Sequence, residues 1–310
     1  MTGTIDFTNC KKILGRAYNG ANGKKIAVEY NGREYMLKFP PSGAMKPTEL
    51  SYTNSSISEH IASSIFNMVG IKAQETLLGT YEVSGKTKVV CACRDFTEDK
   101  YRLFDFCSIK NTILDSESGG SGTELADIMD TIEKQQYVEP SLLMQHFWNI
   151  FVVDALLGNF DRHNGNWGFL YDDSTKEASL APIYDCGSCL LPQADARIME
   201  QALENEDVMN ARIYQFPTSA VKLDGRKINY YDFIVSAEEP ECNAAIQRMV
   251  PKINLEQIKG FIDEVPFITE LQKTFYKRYI SARFEHILKP AYDMVLPEKQ
   301  ELPESNRTVE

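Results

Sequence analysis

Between residues 24 and 93 the chain shows two strand–turn–strand patterns with a helical stripe between them. Lys24–Tyr30 is a β-rich run, Asn31-Gly32 is the dipeptide of a tight type I′ turn, and Glu34–Phe39 is the returning strand. Pro40-Pro41 then ends the sheet, since proline cannot donate to a ladder. Over Ser56–Val69 the apolar residues Ile57, Ile61, Ile65, Phe66 and Val69 fall on one face at helical spacing. Thr76–Tyr81 and Thr87–Cys93 predict a second hairpin turning at Gly85. After Asp95 the character changes. A Ser/Gly-rich loop spans Ser116–Gly122, and a strong helix starts at Pro140-Ser141, with Ser141 as N-cap, and runs to Gly158. Trp167–Tyr171 and Ala178–Tyr184 read as short strands joined at Asp172-Asp173-Ser174-Thr175. Helical patterns dominate from Leu255 to about Asp293, and the polar, proline-bearing stretch Leu296–Glu310 reads as a disordered tail.

These elements predict an α+β protein with a small β-rich lobe over 1–95, a larger mainly helical lobe over 96–293, and a tail over 294–310. The composition agrees with a globular chain: 310 residues, 43% apolar and 25% charged. Against 33 basic residues stand 44 acidic ones, a net charge of −11. Such a balance argues against binding nucleic acid or an anionic membrane through bulk charge. Met1–Phe7 lacks the basic and apolar regions of a secretory signal, and the apolar segment around Phe147–Leu157, interrupted by Asn149 and Asp154, is too short to span a bilayer. The expected location is therefore cytoplasmic. The seven scattered cysteines are expected to be free thiols. Cys186-Gly187-Ser188-Cys189 has redox-motif spacing, but no second ligand pair stands near it in the sequence, and it reads first as buried small residues.

The sharpest chemical signal is Gly158-Asn159-Phe160-Asp161-Arg162-His163-Asn164-Gly165-Asn166, between a buried helix and a strand, with Asp185 closing the following hairpin. Turns also favour Asp, Asn and Gly. Phosphoryl transfer, however, asks for this set: one carboxylate to orient or deprotonate the attacking hydroxyl, and an amide oxygen with a second carboxylate to hold Mg²⁺ against the phosphates. Asp161 fits the first role, and Asn166 and Asp185 fit the metal-binding pair. His163 reads as a loop histidine bracing the backbone, and Arg162 as a support for Asp161 or its neighbours. Lys38 lies inside the apolar strand Tyr35-Met36-Leu37-Lys38-Phe39, where lysine is unusual unless paired. A lysine reaching the phosphates, with Glu59 on the next helix as its partner, explains it; an edge-strand lysine facing water is the plainer alternative. Asn19-Gly20-Ala21-Asn22-Gly23-Lys24-Lys25 is a loop whose amides could cover phosphates, though its spacing is neither a P-loop nor G-x-G-x-x-G.

The run Gly158–Asn166, with Ala181-Pro182-Ile183-Tyr184-Asp185 and Met36-Leu37-Lys38-Phe39-Pro40, resembles the HipA-like serine/threonine kinases. Further stretches resemble a small bacterial member of that family: Ile5–Thr8, Gly20–Gly23, Ser51–Asn54, Gln74–Tyr81 and Lys227–Phe233. The resemblance extends to about residue 270. It implies a two-lobed kinase-like fold with ATP in the cleft, Asp161 as base, Asn166 and Asp185 on Mg²⁺, and Lys38 on the phosphates. It implies adenine contacts near Cys93, Arg94 and Phe96, with Gly20, Ala21, Asn22, Gly23, Lys24, Glu59 and His163 also lining the nucleotide site. The implied substrate is a protein serine or threonine, often the kinase itself. HipA toxins carry an extra N-terminal subdomain that a chain of this length does not hold, so an antitoxin-type partner is not the expectation. No serine falls within residues 9–41, so the loop offers no inhibitory phosphoserine site. Secretion as an effector rests on analogy with one family member alone.

Two alternatives stand beside this reading. The Asp-Arg-His-x-x-Asn string also resembles the catalytic loop of phosphoinositide-type lipid kinases, against which stand the acidic net charge and the lack of a basic amphipathic helix. A nucleotide-binding pseudokinase or interaction module would keep the fold without turnover.

Overall fold

The structure, a computed structural model, describes residues 4–15, 24–40, 53–97, 101–114 and 119–296. Ile5–Asp6 (β1), Lys11–Lys12 (β2), Lys25–Tyr30 (β3), Arg33–Lys38 (β4), Thr76–Val83 (β5) and Lys86–Arg94 (β6) form a curled sheet in the order β1-β5-β6-β4-β3-β2. All pairs are antiparallel except β1 with β5. Both expected hairpins are present. The turn between β3 and β4 places Asn31 and Gly32 at positive φ, as a type I′ turn requires. Helix α1 (Ser55–Met68) packs Ile57, Ile61, Ile65 and Phe66 into the main core, which runs behind β5 and β6. The opposite face of the sheet closes a second, smaller core around Phe7, Val28, Leu37 and Val90.

The remainder is helical, with two small sheets set into it. Tyr101–Asp105 (β7) leads into α2 (Phe106–Ile113), followed by α3 (Leu125–Lys134) and α4 (Pro140–Leu157). Helix α4 is apolar on nearly every side and buries Trp148, Phe151, Val152, Val153, Leu156 and Leu157, so it can only be a central helix. Its start differs from expectation: Glu139 is the N-cap, Pro140 takes the first turn, and Ser141 lies inside the helix. It ends at Gly158, whose left-handed φ of 62° reverses the chain. A β-carbon at that position would also collide with the Tyr279 hydroxyl.

Gly168–Asp172 (β8) and Glu177–Leu180 (β9) form the expected hairpin, with β7 on the outer side of β8. Strand β9 ends at Leu180, so Asp185 lies beyond the sheet rather than at its end, in the left-handed region at φ 56°. Next come α5 (Ala196–Glu204) and α6 (Glu206–Tyr214), the hairpin β10 (Thr218–Leu223) and β11 (Arg226–Asn229), then α7 (Tyr230–Ser236) and α8 (Pro240–Met249). Helices α9 (Leu255–Glu264) and α10 (Glu270–Arg283) follow, and a π-turn at Phe284–Leu288 joins α10 to α11 (Lys289–Val295). No helix among the described residues is long and apolar enough to cross a membrane. The fold is α+β, a curled mixed sheet followed by a helical remainder. The tail expected over 294–310 lies almost wholly outside the described residues.

Candidate active site

Strand β4 carries Lys38 at its last position, and α1 carries Glu59 in its second turn. The two pack against each other because β4 pairs with β6 and α1 lies across β5 and β6. Lys38 Nζ donates to Glu59 Oε2 at 2.8 Å and to Asp185 Oδ1 at 2.9 Å. The Glu59 side chain is 1% exposed and that of Lys38 13%. Glu59 spends its other oxygen on the backbone amide of Cys186, 3.1 Å away. One buried glutamate therefore ties the strand lysine to the segment that bears Asp185. Burial alone would discharge Lys38, yet Asp185 and then Glu59 outweigh it and hold the ammonium well above its usual pKa.

The Lys38 charge holds the Asp185 carboxyl at about 2, against the opposing effect of burial. The side chain of Asp185 keeps 45% of its surface open to the cleft, so water screens part of that field. Lys25 lies directly opposite Lys38 in the β3–β4 register and is half-buried. Burial pushes its pKa down, while the charge of Asp185 pulls it up. Of the two lysines leading into β3, Lys25 is thus the one turned toward the cleft. Lys24 is exposed and lies over the Phe39 ring at 5.6 Å.

The loop 158–166 is built from a buried hydrogen-bond network. Asp154, in the last turns of α4, is 1% exposed and receives Arg162 Nε at 3.0 Å, Arg162 Nη2 at 3.2 Å and Asn159 Nδ2 at 2.8 Å. Arg162 Nη1 also donates to the Asn166 and Tyr184 carbonyls, at 3.1 and 2.6 Å, and Nη2 to Cys186 Sγ at 3.4 Å. This arginine clamps the loop to the strand-exit segment 184–186, so of Asp161 or its neighbours it is the neighbours that it holds. Asn159 Oδ1 accepts the Asp161 amide at 3.0 Å, and Tyr230 Oη donates to the Asn159 carbonyl at 2.7 Å.

Asp161 stands half-buried at the loop's outer turn. Burial pushes its pKa up; the charge of His163 opposes this, and that of Asp185 reinforces it. His163 itself is exposed, and its Nδ1 accepts the Gly165 amide at 3.0 Å, the bracing contact expected of it. Asn166 is buried and donates Nδ2 to the Asp161 carbonyl at 2.8 Å. That bond leaves the amide oxygen as the end free to meet a cation. An Asn oxygen and a carboxylate are the hard donors Mg²⁺ takes, so Asn166 and Asp185 fit that ion.

Cys93 is fully buried in β6 opposite Met36. The Arg94 amide donates to the Glu75 carbonyl, the Arg94 carbonyl accepts Gln74 Nε2, and the guanidinium pairs with Glu75 at 2.9 Å. Phe96 stacks obliquely near Tyr184, with ring centroids 5.8 Å apart. Residues Gly20, Ala21, Asn22 and Gly23 lie outside the described residues. Cys186 and Cys189 are free and fully buried, and burial pushes both thiols up, Cys186 to about 11. They remain protonated and inert as nucleophiles.

Two features of this architecture carry a signal in the sequence beyond the motifs above. Asp154 is a lone carboxylate in an otherwise apolar helix, and such a residue implies a buried partner. Asp224-Gly225, between Val221 and Ile228, is a hairpin dipeptide that announces β10–β11.

Comparison with known proteins agrees with this geometry. The model of the HipA-like C-terminal domain matches residues 17–256. "Serine/threonine-protein kinase CtkA" of Helicobacter pylori strain J99 is 47% identical over 290 residues, covering 93% of this chain and 88% of the relative. The crystal structure of a Helicobacter pylori proinflammatory kinase CtkA superposes with a TM-score of 0.89 at 46% identity, covering 94% of this chain and 98% of that one. HipA of Shewanella oneidensis, solved with HipB and operator DNA, shares the fold at a TM-score of 0.53 and 15% identity, over 94% of this chain and 76% of its own. The chain belongs to the HipA-like kinase family.

Proposed function

We propose that this kinase transfers the γ-phosphoryl group of Mg²⁺-bound ATP to serine or threonine hydroxyls of proteins, its own among them. The observation that carries the proposal is the Lys38 bridge, 2.8 Å to Glu59 and 2.9 Å to Asp185, beside a loop presenting Asp161 and Asn166. Lys38 and Lys25 would meet the phosphate oxygens, since both cations lie beside Asp185 at the cleft. Asn166 and Asp185 would hold Mg²⁺, which when bound neutralises charge on the phosphates. Asp161 would accept the acceptor hydroxyl's proton. Burial raises its pKa, which makes it a better proton acceptor than a free aspartate. The 47% identity to the Helicobacter pylori serine/threonine-protein kinase CtkA supports serine or threonine as acceptor.

The test is transfer from γ-labelled ATP with Mg²⁺, to the protein itself and to a panel of acidic and basic acceptor proteins, with wild type and Asp185→Ala in parallel. Acid-stable label on serine or threonine, formed by wild type alone, is expected. Label on a phosphoinositide but on no protein would move the assignment to lipid. No label on any acceptor, with Mg²⁺-ATP still raising Tm, would make the chain a pseudokinase.

A further inference from the structure

The hairpin β10–β11 takes no part in the site as described, yet it is fastened to the catalytic loop at both ends. At its base, Tyr230, the residue after β11, donates to the Asn159 carbonyl at 2.7 Å, two residues from Asp161. At its tip, Glu124 Oε1 accepts the Gly225 amide at 3.1 Å. The Lys222 amide donates to the Thr123 carbonyl, and Thr123 Oγ1 donates to the Ala220 carbonyl, both at 2.8 Å. The turn just before Thr123 is itself gripped by the catalytic loop, because Asn164 Nδ2 donates to the Gly120 and Gly122 carbonyls at 2.8 Å. The hairpin therefore cannot shift relative to Asp161 without breaking the buried Tyr230–Asn159 bond and the bonds that run through Thr123 and Glu124.

Its outward side is basic and open. Lys222 and Lys227 stand directly opposite one another, and Arg226 follows opposite Leu223. Like charges facing each other across a strand pair are unfavourable. Among the described residues none of the three makes an ion pair. The nearby acids are Asp224 in the turn itself and Glu124, whose carboxylate is already engaged by Gly225. Ile228 is buried in the main core, so strand alternation sends Lys227 to the other, exposed side with its partner Lys222, while Arg226 falls on the Ile228 side at the exposed end of the hairpin. Among the described residues β11 pairs only with β10, leaving its outer edge able to accept a further strand. The charge of Lys227 also reaches Asp161, where it opposes the effect of burial. All this sits on a chain of net charge −11.

Resting on the reading of the chain as a protein kinase, we infer that β11, through Lys227 with Lys222, is the acceptor-docking edge and selects extended protein segments bearing acidic side chains beside the serine or threonine. Charge complementarity and continuity with Asp161 favour that occupant. The edge gives the backbone pairing, and the cations choose the sequence.

The test uses two fluorescent peptides with a single serine, identical except for flanking Glu or flanking Lys residues, against wild type, Lys227→Ala and Lys227→Glu. The readout is the ratio of kcat/KM for the acidic over the basic peptide, which separates selection from any general loss of turnover. The ratio should be about tenfold or more in wild type, fall toward unity in Lys227→Ala, and invert in Lys227→Glu. Anisotropy of alanine-for-serine peptides should follow the same order and weaken as salt rises. A ratio unchanged by either substitution, with both peptides phosphorylated, overturns the docking edge and leaves the kinase reading intact. Acidic-peptide binding lost in Lys227→Glu, with no phosphate transferred by any variant, supports the edge and overturns the kinase reading instead.

Discussion

Two regions meet in this cleft, and they are held by different physics. The corner proposed to meet the phosphates, Lys38, Glu59, Lys25 and Asp185, is held by charge. Its contacts join residues 21 and 147 positions apart in the chain, and they face the space a nucleotide would fill. The catalytic loop is held by hydrogen bonding around a buried ion pair, Arg162 with Asp154, and its contacts stay mostly within loop, helix end and strand exit. The corner can be loosened on its Asp185 side, which keeps 45% of its side chain open to water, although Glu59 is buried. A loop built on a buried pair cannot, because removing one partner strands the other in a dry core.

The largest effect follows from that contrast. Arg162→Met should cost about 3–5 kcal/mol in denaturant unfolding, since it leaves Asp154 charged and buried. A loss below about 1 kcal/mol would mean that Asp154 finds water, and the loop would then not be the rigid half of the comparison. Next comes Lys38→Met. It should reduce transfer and Mg²⁺-ATP affinity by about 10- to 100-fold, read from KM and calorimetry. Tm should move less than in Arg162→Met. Equal destabilisation by the two substitutions would erase the distinction drawn here.

A smaller effect is expected for Tyr230→Phe, which removes the donor to the Asn159 carbonyl. About 1–3 kcal/mol of stability should be lost, together with a slower transfer step at unchanged nucleotide affinity. The smallest is a pH effect. Asp185 titrates at about 2 in the folded protein, below the ordinary value of 3.8, so its contribution to stability is present above about pH 4 and is lost as pH falls through about 2. In Lys38→Met its carboxyl resonance should titrate nearer the ordinary carboxylate range, and acid unfolding should begin at a higher pH. An unmoved Asp185 titration would show that Lys38 is not the cause.

The charged corner was largely legible in the sequence, because a lysine inside Tyr35–Phe39 has few ways to be satisfied and a helix glutamate follows at Glu59. The hairpin boundaries were legible to within a residue or two, since Asn31-Gly32 and Gly85 fix their turns. Less legible was what holds the loop. Asp154 reads in sequence as an interruption of an apolar helix, and only its packing against Arg162 shows the reason for it. The helices α2, α3 and α5 to α8 are only seven to ten residues long, so each shows two or three turns of its pattern at most, and β7 buries no residue fully and shows no clean alternation. Where Asp185 sits was misread for a physical reason: the apolar run Ala181-Pro182-Ile183 looks like strand, but Pro182 cannot donate to a ladder, and β9 stops at Leu180.

On the proposed function, Lys38 and Asp185 serve nucleotide binding, while Asp161 serves the transfer step. The most direct test measures Mg²⁺-ATP affinity by calorimetry and single-turnover transfer by quench for Asp161→Ala and Asp185→Ala side by side. Asp161→Ala should bind nucleotide within about threefold of wild type yet lose about 10²- to 10⁴-fold in transfer. Asp185→Ala should lose both. Transfer near the wild-type rate in Asp161→Ala, or nucleotide affinity lost equally in the two variants, would contradict the assignment.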